Sequence, residues 1–146
     1  VSVQVATLPA QLAGVGIDAV DVARFRGLLA RRAGLAGRLF TDAERADAAG
    51  GGDPAERLAA RFAAKEAAMK ALGTGIGGFS FHDVEVVRSP GEGATRGAPS
   101  LVLRAGAAAV ASSRGVGRLH ISMTHTSHTA MAIVVAEHLD AGRAHP

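Results

Sequence analysis

The chain has 146 residues, a formal net charge of +3 with histidines neutral, and no cysteine, tryptophan or tyrosine. That length suits one domain, and the lack of cysteine excludes disulfides, thiolate chemistry and zinc sites of the cysteine type. No run approaches the roughly eighteen apolar residues of a membrane span, so a cytoplasmic protein with no membrane contact is expected, its core thin and built mainly from Ala, Val, Leu and Ile.

Residues 1–11 read as an N-terminal extension, residues 12–138 as a single domain and residues 139–146 as a tail. Leu12 to Val20 is rich in Val and Ile and reads as a strand ending at Asp18. Val22, Phe25, Leu28 and Leu29 then fall at helical spacing, with Asp21 at the helix start. Thr41 with Glu44 forms a capping box for a short helix that stops near Gly50 to Gly52. Asp53-Pro54 supplies an N-cap and a proline at the first helical position, opening a long helix to Leu72 that Gly73 ends. Strand periodicity resumes from His82 to Val87, with Val84 and Val86 on one face. Ser89 to Pro99 carries Gly, Pro and charge without apolar periodicity and reads as the least ordered segment. A short strand at Ser100 to Leu103 precedes an Ala-rich helix near Arg104 to Ser113. Two further strands, Arg118 to Met123 and Thr129 to Ala136, flank a turn at Thr124 to His128. The order predicts an α+β fold: a small, mostly antiparallel sheet packed against a long central helix.

That helix holds the most informative stretch, R-F-A-A-K-E-A-A-M-K-A-L from Arg61 to Leu72. Only two of the sixteen basic residues are lysines, and both, Lys65 and Lys70, lie here. On a helical wheel the apolar stripe passes through Phe62, Met69 and Leu72, with Lys65 near its centre and Glu66 and Lys70 at its edge. A lysine in an apolar stripe requires a partner or a ligand. Asp18 and Glu66, on separate elements, are the usual protein share of a magnesium site completed by water and phosphate. Each also has a plainer reading: Asp18 as the N-cap of the following helix, Glu66 as an i,i+4 partner of Lys70. Gly73-Thr74-Gly75 reads as a helix C-cap, or as a phosphate-hugging turn that needs the lysines beside it. His125, in a turn between strands, reads as a structural residue or a catalyst. Arg24, Arg26, Arg31, Arg32 and Arg38 follow one another with no intervening acid, which favours an acidic partner. The aromatics that stack nucleic-acid bases are not interleaved among them, so no nucleic acid is expected.

Taken together, G-V-G-I-D at Gly14 to Asp18, the run from Arg61 to Gly75, F-H-D-V-E-V at Phe81 to Val86 and H-I-S-M-T-H-T at His120 to Thr126 resemble the phosphopantetheinyl transferases, most closely the small holo-acyl-carrier-protein synthases. The resemblance implies transfer of the 4′-phosphopantetheine arm of coenzyme A to a serine of an apo acyl carrier protein, with release of adenosine 3′,5′-bisphosphate. It implies Mg2+ held by Asp18 and Glu66, Lys70 near the diphosphate, and Lys65 as a further cofactor-binding lysine. It places Gly73 and Gly75 against the nucleotide, and Ser122, His125 and Thr126 where a neighbouring subunit of a homotrimer reaches the cofactor. Arg24 and Arg31 match the helix that docks the carrier protein. Two rivals remain from the residues alone: a non-catalytic basic module that binds acidic proteins, and a hydrolase of coenzyme A or nucleotide diphosphates.

Overall fold

In a computed structural model, residues 11–89 and 97–139 are described; most of the expected extension, tail and 89–99 loop lie outside them. The chain runs β1 (Leu12–Asp21), α1 (Val22–Arg31), α2 (Leu35–Leu39), α3 (Asp42–Ala49), α4 (Pro54–Ala71), β2 (Val84–Arg88), β3 (Pro99–Leu103), α5 (Ala105–Ser113), β4 (Val116–His125) and β5 (Thr129–His138), with a 3-10 turn at Phe81–Asp83 before β2. All ladders are antiparallel. They divide into a three-stranded sheet ordered β1-β5-β4 and a separate β2-β3 hairpin.

The helix signals act as their chemistry dictates. Asp21 caps α1 by accepting from the Arg24 amide at 2.7 Å. Thr41 and Glu44 exchange both bonds of a capping box at α3. Asp53 accepts from the Ala55 amide at 2.9 Å, and Pro54 opens α4. At the far end of α4 the Gly73 amide donates to Lys70 and the Thr74 amide to Met69. This is a Schellman stop, with Gly73 at φ +67°.

Two sequence expectations are corrected. β1 does not end at Asp18 but runs three residues further, because its pairing with β5 continues from Asp18 opposite Ala132 to Asp21 opposite Thr129. The five-residue α2 escaped detection because L-A-G-R-L is too short to show helical periodicity.

Helix α4 is buried on nearly every side, and its alanines explain how it can be. Ala63, Ala64, Ala67, Ala68 and Ala71 pack under the sheet with Val134, Ala132 and Ala136 of β5. On β1, Gly14 and Gly16 face α4: a Cβ at Gly14 would stand 2.1 Å from the Ala71 carbonyl oxygen, and one at Gly16 would stand 1.9 Å from that of Ala67. Strand and helix therefore meet backbone against backbone. Since strand side chains alternate, Asp18 falls on the same face two residues later. A second cluster, under α1 and α3, contains Val22, Phe25, Leu39 and Phe40, with Phe62 stacked between Phe25 and Phe81 at centroid distances of 5.2 and 5.6 Å. Four of the five phenylalanines thus thicken the core at one end of α4.

Gly16→Ala is expected to cost about 3 kcal/mol or more in urea unfolding, because backbone rather than a yielding side chain blocks the methyl group. Gly75→Ala, whose Cβ would enter open space, should stay within about 0.5 kcal/mol of the parent. Equal stability of the two variants would contradict the close β1–α4 contact.

Candidate active site

Helix α1 leans across β1 and α4 to leave a cleft of about 510 Å³, lined by Asp18 and Asp21 of β1, Arg24, Phe25 and Arg31 of α1, and Phe62 and Glu66 of α4. Ile76 of the glycine-rich loop stands exposed at its edge. The two carboxylates singled out in the sequence thus open onto one cavity, and two exposed arginines share its wall.

The plainer readings of both acids fall away. Asp21, not Asp18, caps α1. Lys70 pairs with Asp18 rather than Glu66: its ammonium lies 3.0 Å from Asp18 Oδ1 and donates to the Ile17 carbonyl at 2.8 Å. Glu66 is 95% buried yet makes no hydrogen bond or ion pair among the described residues. Its carboxyl is pushed above the usual range, first by burial and then by the Asp18 charge, with Lys70 pulling the other way. Asp18 and Glu66 thus offer carboxylate oxygens to one cleft, with Lys70 paired to the first. Such a donor set fits a hard divalent cation that keeps some of its ligands from water or phosphate. No group of three His, Asp or Glu that could hold a metal occurs among the described residues.

Lys65 does not belong to this cleft, and its expected cofactor contact is corrected. The side chain is fully buried, and its ammonium meets Glu44 Oε2 at 2.8 Å, the Phe81 carbonyl at 2.8 Å and the Val84 carbonyl at 2.7 Å. Three donors are satisfied by three acceptors, leaving none for a ligand. Glu44 in turn accepts from the Val86 amide at 2.8 Å while completing its capping box. The pair fastens α3, α4 and β2 together. Burial pushes the Lys65 ammonium down, and Glu44 opposes that shift. Reading Glu44 as a cap alone hid its second task.

The remaining expected site residues are spread apart. Gly73 carries the Schellman turn, and its carbonyl accepts from Arg114 at 3.2 Å, while Gly75 has open space around it. Ser122 lies on the outer face of the sheet opposite Ile133. His125, on the inner side of β4, has Nδ1 3.4 Å from Glu56 of α4. The Thr126 hydroxyl accepts from the amides of His128 and Thr129 at 3.1 Å, closing the β4–β5 turn. His125 instead lines a second cleft of about 290 Å³ with Arg57, Arg61, Arg88 and Thr124. Arg61 is buried there, paired with Asp47, and its Nε has no partner. Sequence reading missed this basic cleft because its arginines come from α4 and β2, far apart along the chain.

A family model, the 4′-phosphopantetheinyl transferase superfamily, matches residues 14–124. The chain belongs to that superfamily. It is 50% identical over 124 residues to the holo-[acyl-carrier-protein] synthase of Clavibacter michiganensis, covering 85% of this chain and 94% of that protein. Among solved structures, the synthase of Neisseria meningitidis aligns with a TM-score of 0.76 at 34% identity, over 86% of this chain and 98% of that one. The synthase of Bacillus anthracis in complex with CoA (3′,5′-ADP) aligns with a TM-score of 0.71 at 34% identity, over 89% and 100%. The superfamily match begins on the glycines that bring β1 against α4 and contains both acids of the cleft.

Because the folded chain raises the proton affinity of Glu66, ionised Glu66 opposes folding above its folded pKa, and the penalty fades as pH falls through that value toward the unfolded one. Metal-free Glu66→Gln should therefore melt about 2–4 °C above the parent at pH 8, with the gain shrinking as pH is lowered. An equal or lower midpoint at pH 8 would contradict an unpaired buried carboxylate.

Proposed function

We propose that the chain is a holo-acyl-carrier-protein synthase: it transfers 4′-phosphopantetheine from coenzyme A to a serine of apo acyl carrier protein and releases adenosine 3′,5′-bisphosphate. The observation that carries the proposal is the shared cleft, in which Asp18 and Glu66 open beside Lys70 and beneath the exposed Arg24 and Arg31. Catalytic acids and a docking surface for an acidic partner stand side by side.

In this reading Asp18 and Glu66 hold Mg2+, which when bound would offset the negative charge developing on the leaving phosphate. The serine oxygen attacks the β-phosphorus of coenzyme A, the bond to the bridging oxygen breaks, and the bisphosphate departs. Lys70 donates to the diphosphate, where a cation lowers the barrier of phosphoryl transfer mainly by charge stabilisation. The serine proton passes to a water held by Glu66, which relays it on to the Glu66 carboxylate. Gly75 leaves room for the nucleotide beside the loop, and Gly73 sets the turn that leads to it.

Coenzyme A carries a third phosphate, and the Arg57, Arg61 and Arg88 cleft beside His125 stays positive after Asp47 has paired with Arg61 and Arg88. We place that cleft, with Ser122 and Thr126, against the cofactor of a neighbouring copy in a homotrimer. Support comes from the outer face of the sheet, where Val15, Ile17, Met131 and Ile133 stand exposed around Ser122. An uncovered apolar face of this kind favours self-association. No helix among the described residues is long and apolar enough to cross a membrane, and a cytosolic enzyme acting on diffusible partners is the setting we assign.

Incubation with coenzyme A, Mg2+ and a panel of apo carrier proteins should add one phosphopantetheine to the carrier by intact-protein mass spectrometry. Glu66→Gln should lose most of the turnover. No mass gain on any carrier would count against the enzyme, and bisphosphate release without a carrier would favour the hydrolase. Arg31→Ala should raise the carrier KM about fivefold at low salt while leaving kcat nearly unchanged; an unchanged KM would remove Arg31 from the docking surface.

A further inference from the structure

Lys70 occupies an unusual post for a residue expected to meet an anionic substrate. In the free chain its ammonium already has an anion, Asp18 Oδ1 at 3.0 Å, and a second acceptor in the Ile17 carbonyl at 2.8 Å. Three acids line this cleft: Asp21 is engaged as the cap of α1, Asp18 holds Lys70, and Glu66 is left without a hydrogen-bond partner among the described residues. A divalent ion drawn to Asp18 and Glu66 would therefore arrive where a lysine already sits. The two cations repel one another and draw on the same oxygen.

We infer that Lys70 and the divalent ion compete for Asp18, so that Lys70 acts as an internal counter-ion which keeps the metal-free cleft intact and weakens metal binding until the lysine turns away. The inference rests on the metal reading given above. Lys70 is suited to such a part, because its side chain is 51% exposed whereas that of Asp18 is only 18% exposed. The lysine can leave by rotating its flexible stem, while the aspartate, fixed on β1, cannot follow. With half of the Lys70 side chain open to solvent the pair is one that can be broken at modest cost. Once displaced, the ammonium is available to the diphosphate of coenzyme A. Metal and substrate then favour each other's binding: the metal frees the lysine for the substrate, and the substrate holds the lysine away from Asp18. Lys65, locked among three buried acceptors, shows by contrast what a permanently placed lysine looks like on the same helix.

The test is calorimetric titration of Mn2+ into the full chain without coenzyme A, comparing the parent with Lys70→Met, Lys70→Arg, Arg24→Met and Asp18→Asn. Lys70→Met should bind Mn2+ about tenfold more tightly than the parent, and Lys70→Arg within about threefold of it. Arg24→Met removes the same charge from the wall of the same cleft without touching Asp18, and should change affinity less than about threefold. Equal affinity of Lys70→Met and the parent, with binding still lost in Asp18→Asn, would overturn the competition and leave the metal site standing. Equal gains in Lys70→Met and Arg24→Met would also overturn it, since the effect would then be one of net charge. Mn2+ binding that survives Asp18→Asn in a Lys70→Met background would overturn the metal reading itself.

Discussion

The site depends on how closely one strand approaches one helix. Gly14 and Gly16 carry no side chain on the face of β1 that meets α4, and the carbonyls of Ala67 and Ala71 fill the space where Cβ atoms would stand. Any larger residue at either position would lift the strand from the helix, because interiors packed to this density yield little. Two residues on, the same face presents Asp18, now close enough for an ion pair with Lys70 and for its charge to act on Glu66. A pair of glycines thus sets the spacing of a pair of acids.

The two lysines of the chain stand in opposite surroundings, one sealed in the core and one at the solvent edge. Lys65, one residue before Glu66, points the opposite way into the core and is consumed by Glu44 and two carbonyls. Breaking such a pair leaves an uncompensated buried charge, so it holds α3 and β2 to α4 at the cost of any freedom to meet a ligand. Lys70 lies at the solvent edge with half its surface free. Of the two, only the second has donors within reach of solvent. The buried pair also steadies the end of α4 that carries Phe62, whose ring forms part of the cleft wall beside Arg24 and Arg31.

Local signals were the legible part of the sequence. The caps at Asp21, Thr41/Glu44 and Asp53 and the stop at Gly73 are short-range hydrogen-bonding choices, and each occurs where its residues stand. Asp18 and Glu66 could be set side by side because two carboxylates on separate elements are the usual protein share of a magnesium site and both lie in motifs of the resemblance; they line one cleft. Less legible was whatever depends on partners distant in sequence. The wheel position of Lys65 called for a partner or a ligand without deciding between them, because Glu44 lies twenty-one residues earlier, and the cofactor contact came from the resemblance alone. The strand ladder that carries β1 past Asp18 is set by β5, and the basic cleft at His125 gathers Arg57, Arg61 and Arg88 only after α4 and β2 are in place. Ser122, His125 and Thr126 read as one motif, yet strand alternation sends Ser122 outward and His125 inward, while a turn engages Thr126.

The most direct test of the pairing of the two acids is crystallographic. Crystals grown with coenzyme A and Mn2+ should show an anomalous manganese peak bridged by the Asp18 and Glu66 carboxylates, with the remaining positions taken by water and diphosphate oxygens. A peak held by other residues, or bound coenzyme A with no manganese between these two side chains, would contradict the account.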